Sequence, residues 1–174
     1  MNYPESIFTD GGVIGPNPSK HGGTWCWCWV SKNVRTRSNC GIATPESLQV
    51  EAVTNNQTEL LAAVNALTSV PKGWDGTLYT DSVVTQFRLT NGESFNGVPQ
   101  WLRLLALDLR RARKYKVVLI KGHATQKEIA AGLSRCGKPT SCHNTFCDEQ
   151  CTKLAWDFLK NEKKHLKRKG RNVS

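Results

Sequence analysis

The sequence predicts an α/β fold, in which a three-stranded antiparallel meander is extended by two parallel strands and helices pack on the sheet. Two observations support this fold class. Three strand-like segments follow one another before the first helical segment, and helical segments then alternate with the last two strands. A chain of 174 residues is long enough for one domain with a substantial core.

The first three strands are predicted from residue alternation. Residues 6–9 read as a short strand that ends at a turn, and residues 34–42 supply a third strand. Between them, the segment TWCWCWV at residues 24–30 alternates strictly, with tryptophans on one face and Cys26 and Cys28 on the other. Because both faces are apolar, this strand is expected to be covered on both sides, with its cysteines packed in the core.

The remaining elements are predicted from helical spacing and apolar runs. Asn56 is a suitable N-cap for the first helix, which TNNQTE at residues 54–59 opens. The later elements are a strand at 76–80, a basic helix at about 99–114, a buried strand at 117–120, and a last helix that begins near Cys147. Strands separated by helices are expected to pair in parallel.

The composition favours a polyanionic partner. The net charge is +10, with eight Lys and Arg against two acids at 153–174 and six basic residues against one acid at 103–116. Charge of this size suits nucleic acid, although one basic helix alone is often only a solvated surface. No membrane association is expected, because no apolar run is long enough to cross a bilayer. The N-terminus lacks the basic segment of a secretory signal, and seven cysteines without disulfide spacing favour a reducing, cytoplasmic location.

Four acids are candidate metal ligands. Asp10 and Asp81 each follow a predicted strand, at the edge of an α/β sheet where ligands bind. Glu59 and Asp148 each fall in the first turn of a predicted helix. If the four converge, their repulsion requires divalent cations, and hard oxygen ligands select Mg²⁺ or Mn²⁺. Taken singly, Glu59 could be a capping-box partner, Asp148 a favourable charge at a helix N-terminus, and Asp10 part of a turn.

The segments IFTDGG, TNNQTELLAA, LYTDS, IKGHA and CDEQCTKLA occur in the order and approximate spacing of the type 1 ribonuclease H family. The chain resembles this family over residues 5–160. The resemblance implies a ribonuclease H-like fold, with a five-stranded mixed sheet in the order 3-2-1-4-5 flanked by helices. It also implies an endoribonuclease that hydrolyses the RNA strand of RNA/DNA hybrids, and we expect the protein to act as a monomer.

The resemblance also implies the site residues. Asp10, Glu59, Asp81 and Asp148 match the family's catalytic and metal-binding carboxylates, and His123 in KGHA matches its mobile catalytic histidine. The implied cofactor is a pair of Mg²⁺ ions, with Mn²⁺ able to substitute, which would activate a water and stabilise the leaving oxygen. His123 would transfer a proton or help to release the product phosphate.

Substrate binding is assigned by the same comparison. The matching positions are Gly11, Gly12, Asn17, Thr54, Asn55 and Asn56. The two adjacent asparagines and the glycine backbone match groups that touch the minor groove, where ribose 2′-OH groups distinguish a hybrid from duplex DNA. Thr54 resembles a residue that holds a DNA-strand phosphate. Polar residues before a helix are also ordinary capping groups.

Two other function classes remain open. A non-catalytic nucleic-acid-binding module is disfavoured because all four acids and the histidine are present. A DNA resolvase or integrase of the same superfold is disfavoured by TNNQTE and KGHA, although fold alone does not decide between them.

Three segments depart from the family pattern. The loop at residues 15–21 is differently spaced, which weakens the match of Asn17, and the segment between Asp81 and Trp101 lacks the basic handle helix of many relatives. The third is an enlarged loop at 124–146, within a catalytic domain predicted at 1–165. A basic tail at 166–174 would follow, either binding substrate or forming a disordered end.

The enlarged loop raises the question of zinc. Tetrahedral zinc could be held by some of five soft ligands, namely Cys136, Cys142, His143, Cys147 and Cys151. The spacing is not a CxxC pair, and the last two cysteines lie on the apolar face of the predicted helix, where core burial is the simpler account. A redox pair of Cys136 with Cys142 is a lesser alternative.

Overall fold

The protein folds around a five-stranded mixed sheet, which confirms the predicted fold class. The computed structural model describes residues 3–171, with side chains through residue 165. The strands are β1 (Ser6–Val13), β2 (Gly23–Ser31), β3 (Val34–Ala43), β4 (Thr77–Thr80) and β5 (Lys116–Leu119). Their order is β3-β2-β1-β4-β5. Strand β2 pairs antiparallel with both β1 and β3, whereas β4 pairs in parallel with both β1 and β5.

Six helices accompany the sheet. They are α1 (Pro45–Leu48), α2 (Asn55–Thr68), α3 (Val83–Thr90), α4 (Gln100–Arg111), α5 (Gln126–Ala131) and α6 (Cys142–Arg171). The short helices α1, α3 and α5 were not predicted, because each is defined by a local cap rather than by a long apolar stripe. Their caps are Thr44, Ser82 and Thr125, whose hydroxyls each accept a backbone N–H of the first turn.

Two predicted helix starts are wrong. Helix α2 is capped by Thr54 rather than Asn56, and the Gln57 side chain accepts the Thr54 backbone N–H at 2.8 Å. Glu59 is therefore not the capping-box partner. Helix α6 begins at Cys142, well before the predicted start near Cys147, after Ser141 accepts the His143 backbone N–H at 3.1 Å. The enlarged loop is correspondingly shorter and contains α5.

Apolar side chains cover both faces of the sheet, as the alternation in β2 predicts. On one face, Trp27 joins a large cluster with residues of α2 and α4, and Trp25 and Trp29 pack against it. On the other face, Cys26 and Cys28 pack with residues of α6. The sheet is therefore a central layer, and its β1–β4 edge is reached from both sides.

Two regions bear on function. Residues 91–99, between α3 and α4, contain no helix. The lack of a basic handle between Asp81 and Trp101 stays a prediction. Helix α6 continues without a break through residues 166–171, and residues 172–174 of the predicted tail lie outside the described part of the chain. The boundary at residue 165 stays a prediction. Among residues 3–171, no helix is both long and apolar enough to cross a bilayer.

Candidate active site

Asp10 and Asp81 are brought together by the pairing of β1 with β4. Phe8 pairs with Tyr79 in the parallel register. Asp10 lies two residues after Phe8, and Asp81 lies two residues after Tyr79. Asp10 was predicted at the end of its strand, but β1 continues to Val13. The two carboxyl groups lie where β4 ends while β1 runs on, so a cleft opens beside them.

Glu59 is delivered by α2, which packs closely on β1. Gly11 makes this approach possible, because a Cβ at that position would overlap the backbone of Thr58 and Glu59. The Glu59 side chain is thereby directed at the same edge of the sheet, and only 5% of the residue is exposed.

The three acids form a compact and unneutralised cluster. One carboxylate oxygen from each of Asp10, Glu59 and Asp81 lies within 4.8 Å of the other two. Asp10 is only 6% exposed. Glu59 Oε2 and Asp81 Oδ1 are buried without a hydrogen-bond partner in the described structure. Buried oxygens of this kind are costly unless a proton or a cation satisfies them.

Burial and mutual repulsion hold the protons of this cluster tightly. Burial, followed by the charges of Asp81 and Asp148, raises the pKa of Asp10 from 3.8 to about 8. Burial, followed by the charges of Asp10 and Asp81, raises the pKa of Glu59 well above its ordinary value. Burial also raises the pKa of Asp81. A set of hard, converging oxygen donors fits a divalent ion such as Mg²⁺.

Asp148 borders this cluster instead of joining it. It lies in the second turn of α6, one turn later than predicted, because the helix starts earlier. Its Oδ2 atom is 3.3 Å from His123 Nδ1, and both residues line the open cavity of about 450 Å³ that contains the three acids. The His123 side chain is largely exposed, at the end of the KGHA segment after β5.

Comparison with known proteins identifies the family. The sequence model described as "RNase H" matches residues 3–155, which is most of the chain. The chain belongs to the ribonuclease H family. No curated protein sequence gives a significant match.

Solved structures agree on the fold. The RNase H1 of the halophilic archaeon Halobacterium salinarum NRC-1 is 21% identical with a TM-score of 0.52, over 72% of this chain and 91% of that one. The N-terminal RNase H domain of a Mycobacterium tuberculosis protein, fused to maltose-binding protein, is 14% identical with a TM-score of 0.56, covering 90% and 98%. LC9-RNase H1, a type 1 RNase H with the type 2 active-site motif, is 15% identical with a TM-score of 0.57, covering 87% and 72%.

The predicted substrate-binding residues of this ribonuclease H divide between two cavities. Gly11, Gly12 and Asn55 line the cavity of the acids. A second polar cavity of about 370 Å³ is lined by the other three, Asn17, Thr54 and Asn56. Asn17 Oδ1 accepts the Asn55 backbone N–H at 3.3 Å, so the uncertain loop is joined to the start of α2.

Sequence reasoning missed Arg88, which lines the second cavity. The residue is only 5% exposed, and its guanidinium donates to the carbonyls of Ser94 at 3.2 Å, Asn56 at 3.4 Å and Asn96 at 3.4 Å. It has no acidic partner within the described residues. Its signal was a lone arginine in the segment between Asp81 and Trp101, whose one other charged residue is Glu93.

Trp156 was missed as well. It lines the cavity of the acids from α6, and 69% of it is exposed. Its position two helical turns after Asp148 is the feature of the sequence that could have identified it.

The zinc knuckle does not form. Within residues 3–165, the three carboxylates are the one group of three or more potential ligands whose atoms lie within 4.8 Å of one another. Cys147 Sγ is 3.6 Å from the Phe8 carbonyl, and Cys151 Sγ is 3.6 Å from the Asp10 carbonyl, so both face the core as predicted. Cys136 and Cys142 are exposed, and the remaining candidate, His143, is buried with Nε2 3.2 Å from Asn33 Oδ1.

Proposed function

We propose that this ribonuclease H is a divalent-metal-dependent endonuclease that hydrolyses the RNA strand of RNA/DNA hybrids. The observation that carries the proposal is the cluster of Asp10, Glu59 and Asp81, with atoms within 4.8 Å and two buried oxygens unsatisfied, in the wall of an open cavity. Such a cluster has no structural use, because its repulsion and burial oppose folding. The family supports nucleic acid as the substrate.

Asp10, Glu59 and Asp81 would hold the metal, with Asp148 completing the site at its edge. Two bound Mg²⁺ ions would supply an activated water and would stabilise the leaving oxygen of an in-line phosphoryl displacement. The carboxyl groups of Asp10 and Glu59 must lose their protons before they can bind a metal ion. Because their pKa values are raised, activity should rise with pH.

His123 would transfer a proton at the mouth of the cavity. Its Nδ1 atom faces Asp148 Oδ2, and an Nδ1–H donated to that carboxylate leaves Nε2 free to accept or give a proton. The exposure of the ring allows it to follow the substrate. Because Asp148 orients His123, loss of either group should lower the rate without abolishing metal binding at the other three acids.

Hybrid recognition would come from the two neighbouring cavities. Asn55 and the glycine backbone beside the acids would read the minor groove of the strand that is cut. The second cavity offers Thr54 and the buried Arg88 guanidinium to an anionic group, which suits a phosphate of the other strand. The net charge of +10 would attract the hybrid as a whole.

We also propose that the protein works as a monomer. Its seven free cysteines also fit the reducing, cytoplasmic environment that we propose for it. Light scattering at the concentrations used for assay tests the monomer, and a stable dimer would contradict it.

Cleavage of labelled substrates tests the proposal. RNA/DNA hybrid, double-stranded RNA and double-stranded DNA are each incubated with Mg²⁺, Mn²⁺ or EDTA. We expect cleavage of the hybrid alone, none in EDTA, and none by Asp81→Asn under any condition. Asp108→Asn is the matched control, because this acid is exposed and paired with Lys72, away from the cavity. Equal cutting of duplex DNA would overturn the substrate, and activity of Asp81→Asn would overturn the site.

A further inference from the structure

Helix α6 extends past the part of the chain that matches the family. The family match ends at residue 155, whereas α6 continues to Arg171. We call residues 156–165, whose side chains are described, the α6 extension. Two of its residues, Trp156 and Leu159, line the same cavity as the catalytic acids. The extension is therefore part of the active-site wall.

Trp156 is the most conspicuous residue of the extension. Its 69% exposure is the highest among the large hydrophobic side chains exposed within residues 3–165. It follows Asp148 by eight residues, which is two helical turns and about 12 Å along the helix axis. Scattered exposed hydrophobic residues are ordinary, but an indole on the wall of a polar, open cavity provides a flat apolar surface at the position where substrate must lie.

Exposed lysines continue from Trp156 along the helix. Lys160 lies one turn after it, and Lys163 and Lys164 lie about two turns after it. The extension has two acids, Asp157 and Glu162, against these three lysines, and Glu162 also contacts His21. Proteins combine an aromatic surface with a row of cations to follow single strands of nucleic acid. The same combination can contact the exposed sugar–phosphate backbone of one strand of a hybrid.

The extension is also fixed in position. His21 Nδ1 lies 3.1 Å from Glu162 Oε2, and the His21 ring packs edge-on to Phe158 with the centroids 6.4 Å apart. His21 belongs to the loop between β1 and β2 that also carries Asn17. The α6 extension is thus joined to a loop of the predicted substrate groove, and a bound strand would meet both.

We propose that the α6 extension is a second substrate-binding element, in which Trp156 packs against the RNA strand beside the cleaved phosphate and Lys160, Lys163 and Lys164 contact phosphates. This inference rests on the proposed function. The strand whose phosphate reaches the acids is the one that is cut, so a side chain in the same cavity wall contacts that strand. Because base faces are covered in a duplex, the indole would lie against ribose and backbone.

Binding by an inactive protein tests the aromatic contact. All variants carry Asp81→Asn, and the dissociation constant for a labelled hybrid is measured by anisotropy, together with quenching of intrinsic tryptophan fluorescence. We expect Trp156→Ala to raise the dissociation constant about 5- to 10-fold, at the lower end of the effect of an aromatic–nucleotide contact. Trp156→Phe should raise it less and should remove most of the quenching.

Two controls separate binding from folding. Trp29→Phe should keep both affinity and quenching, because Trp29 pairs with Ile7 at the opposite end of the sheet. The melting temperature of the Trp156 variants should equal that of their parent, since this side chain is mostly exposed.

Salt dependence tests the lysines. Each phosphate contact that is lost should lower the slope of log affinity against log salt by about 0.9, so replacing Lys160, Lys163 and Lys164 by Gln should lower it by about 2 to 3. The control is Lys72→Gln with Lys114→Gln, because these exposed lysines precede β4 and β5 at the sheet end opposite Asp81, and it should leave the slope unchanged.

Different results would overturn the proposed function and the second binding element. If the Asp81→Asn parent does not bind the hybrid, the proposed function is overturned, and this inference falls with it. If the parent binds but the dissociation constant, the quenching and the salt slope are all unchanged in the α6 variants, only the second binding element is overturned.

Discussion

Asp10 shows at the scale of one residue how a site for a cation opposes folding. Its carboxyl group is buried between Glu59 and Asp81, with Asp148 nearby, and its pKa is raised to about 8. A raised folded-state pKa means that the folded protein binds a proton more tightly than the unfolded chain, whose Asp pKa is about 3.9. The folded, metal-free protein therefore loses stability as pH rises above the pKa of the unfolded carboxyl, because the unfolded chain then releases a proton that the folded protein still holds.

Replacing Asp10 by Asn should stabilise the metal-free protein. The amide keeps the shape of the group and removes one charge from the cluster. Unfolding in EDTA at pH 8 should therefore cost roughly 1–3 kcal/mol more, a rise of about 2–12 °C in melting temperature. Activity should be lost at the same time. Asp108→Asn, at an exposed position, should change the melting temperature little. A lower melting temperature for Asp10→Asn would contradict this account of the cluster.

The same substitution gives a pH signature. Near pH 4 the folded carboxyl is protonated and resembles the amide, so the two proteins should be about equally stable. As pH rises towards 8, the unfolded chain gives up its proton while the folded protein still holds one, and the wild type loses stability. The advantage of Asp10→Asn in EDTA should therefore grow between pH 4 and 8. Thermal unfolding at several pH values measures it, and a constant difference would exclude the raised pKa as the cause.

Gly122 has a different role beside Asp81. A Cβ at this position would overlap Asp81 Oδ2, although this oxygen is the end of a side chain and can move. Gly122→Ala should thus keep the fold and displace the carboxylate. Misplacement by about 1 Å lowers rates by as much as 100-fold, so we expect kcat to fall by about 10- to 100-fold with little change in melting temperature. Full activity would show that Asp81 tolerates the displacement.

Helix α6 combines a structural and a chemical face in one element. Cys147 and Cys151 lie against Cys26 and Cys28 of β2, and Cys147 Sγ is 3.8 Å from Cys28 Sγ. Asp148 lies between the two α6 cysteines in sequence and lines the cavity of the acids. Packing of the cysteines therefore fixes the position of the acid.

Cys147→Ser tests whether these thiols belong to the core. Cys147 is fully buried, and a hydroxyl is costlier to bury than a thiol, so the free energy of unfolding should fall by about 1–3 kcal/mol. Cys142→Ser, at an exposed position, should be neutral. Chemical denaturation with and without EDTA, in the absence of Mg²⁺, measures both effects. A loss of wild-type stability in EDTA would point back to bound zinc.

The sequence could predict those elements whose signals are local. Alternation in β2 indicated two covered faces, and four acids with KGHA indicated the site. The start of α6 was placed too late because a hydroxyl cap at Ser141 determines it more than the apolar stripe does. Arg88 and Trp156 were missed because their importance depends on neighbours distant in sequence: carbonyls of residues 56 and 94–96 for one, and the cavity around Asp10 for the other.

At the scale of the whole molecule, a basic protein surrounds an acidic cavity. The chain carries a net charge of +10, yet its most buried charged groups include Asp10 and Glu59. The basic surface would attract a polyanion, whereas the carboxylate cluster would repel its phosphates. Cations bound in the cavity would remove this repulsion. Substrate binding and metal binding should therefore reinforce each other.

Metal binding should accordingly appear as a pH-dependent gain in stability. A ligand at ten times its dissociation constant adds about 1.4 kcal/mol, so saturating Mg²⁺ at pH 8 should raise the melting temperature by about 3–6 °C. At pH 5 the ion must displace protons from Asp10 and Glu59, whose pKa values are raised, and the gain should be close to zero. Asp10→Asn should show little gain at either pH. Thermal unfolding at the two pH values, in matched ionic strength, measures these gains, and an equal gain at pH 5 and 8 would mean that Mg²⁺ binds elsewhere on the protein.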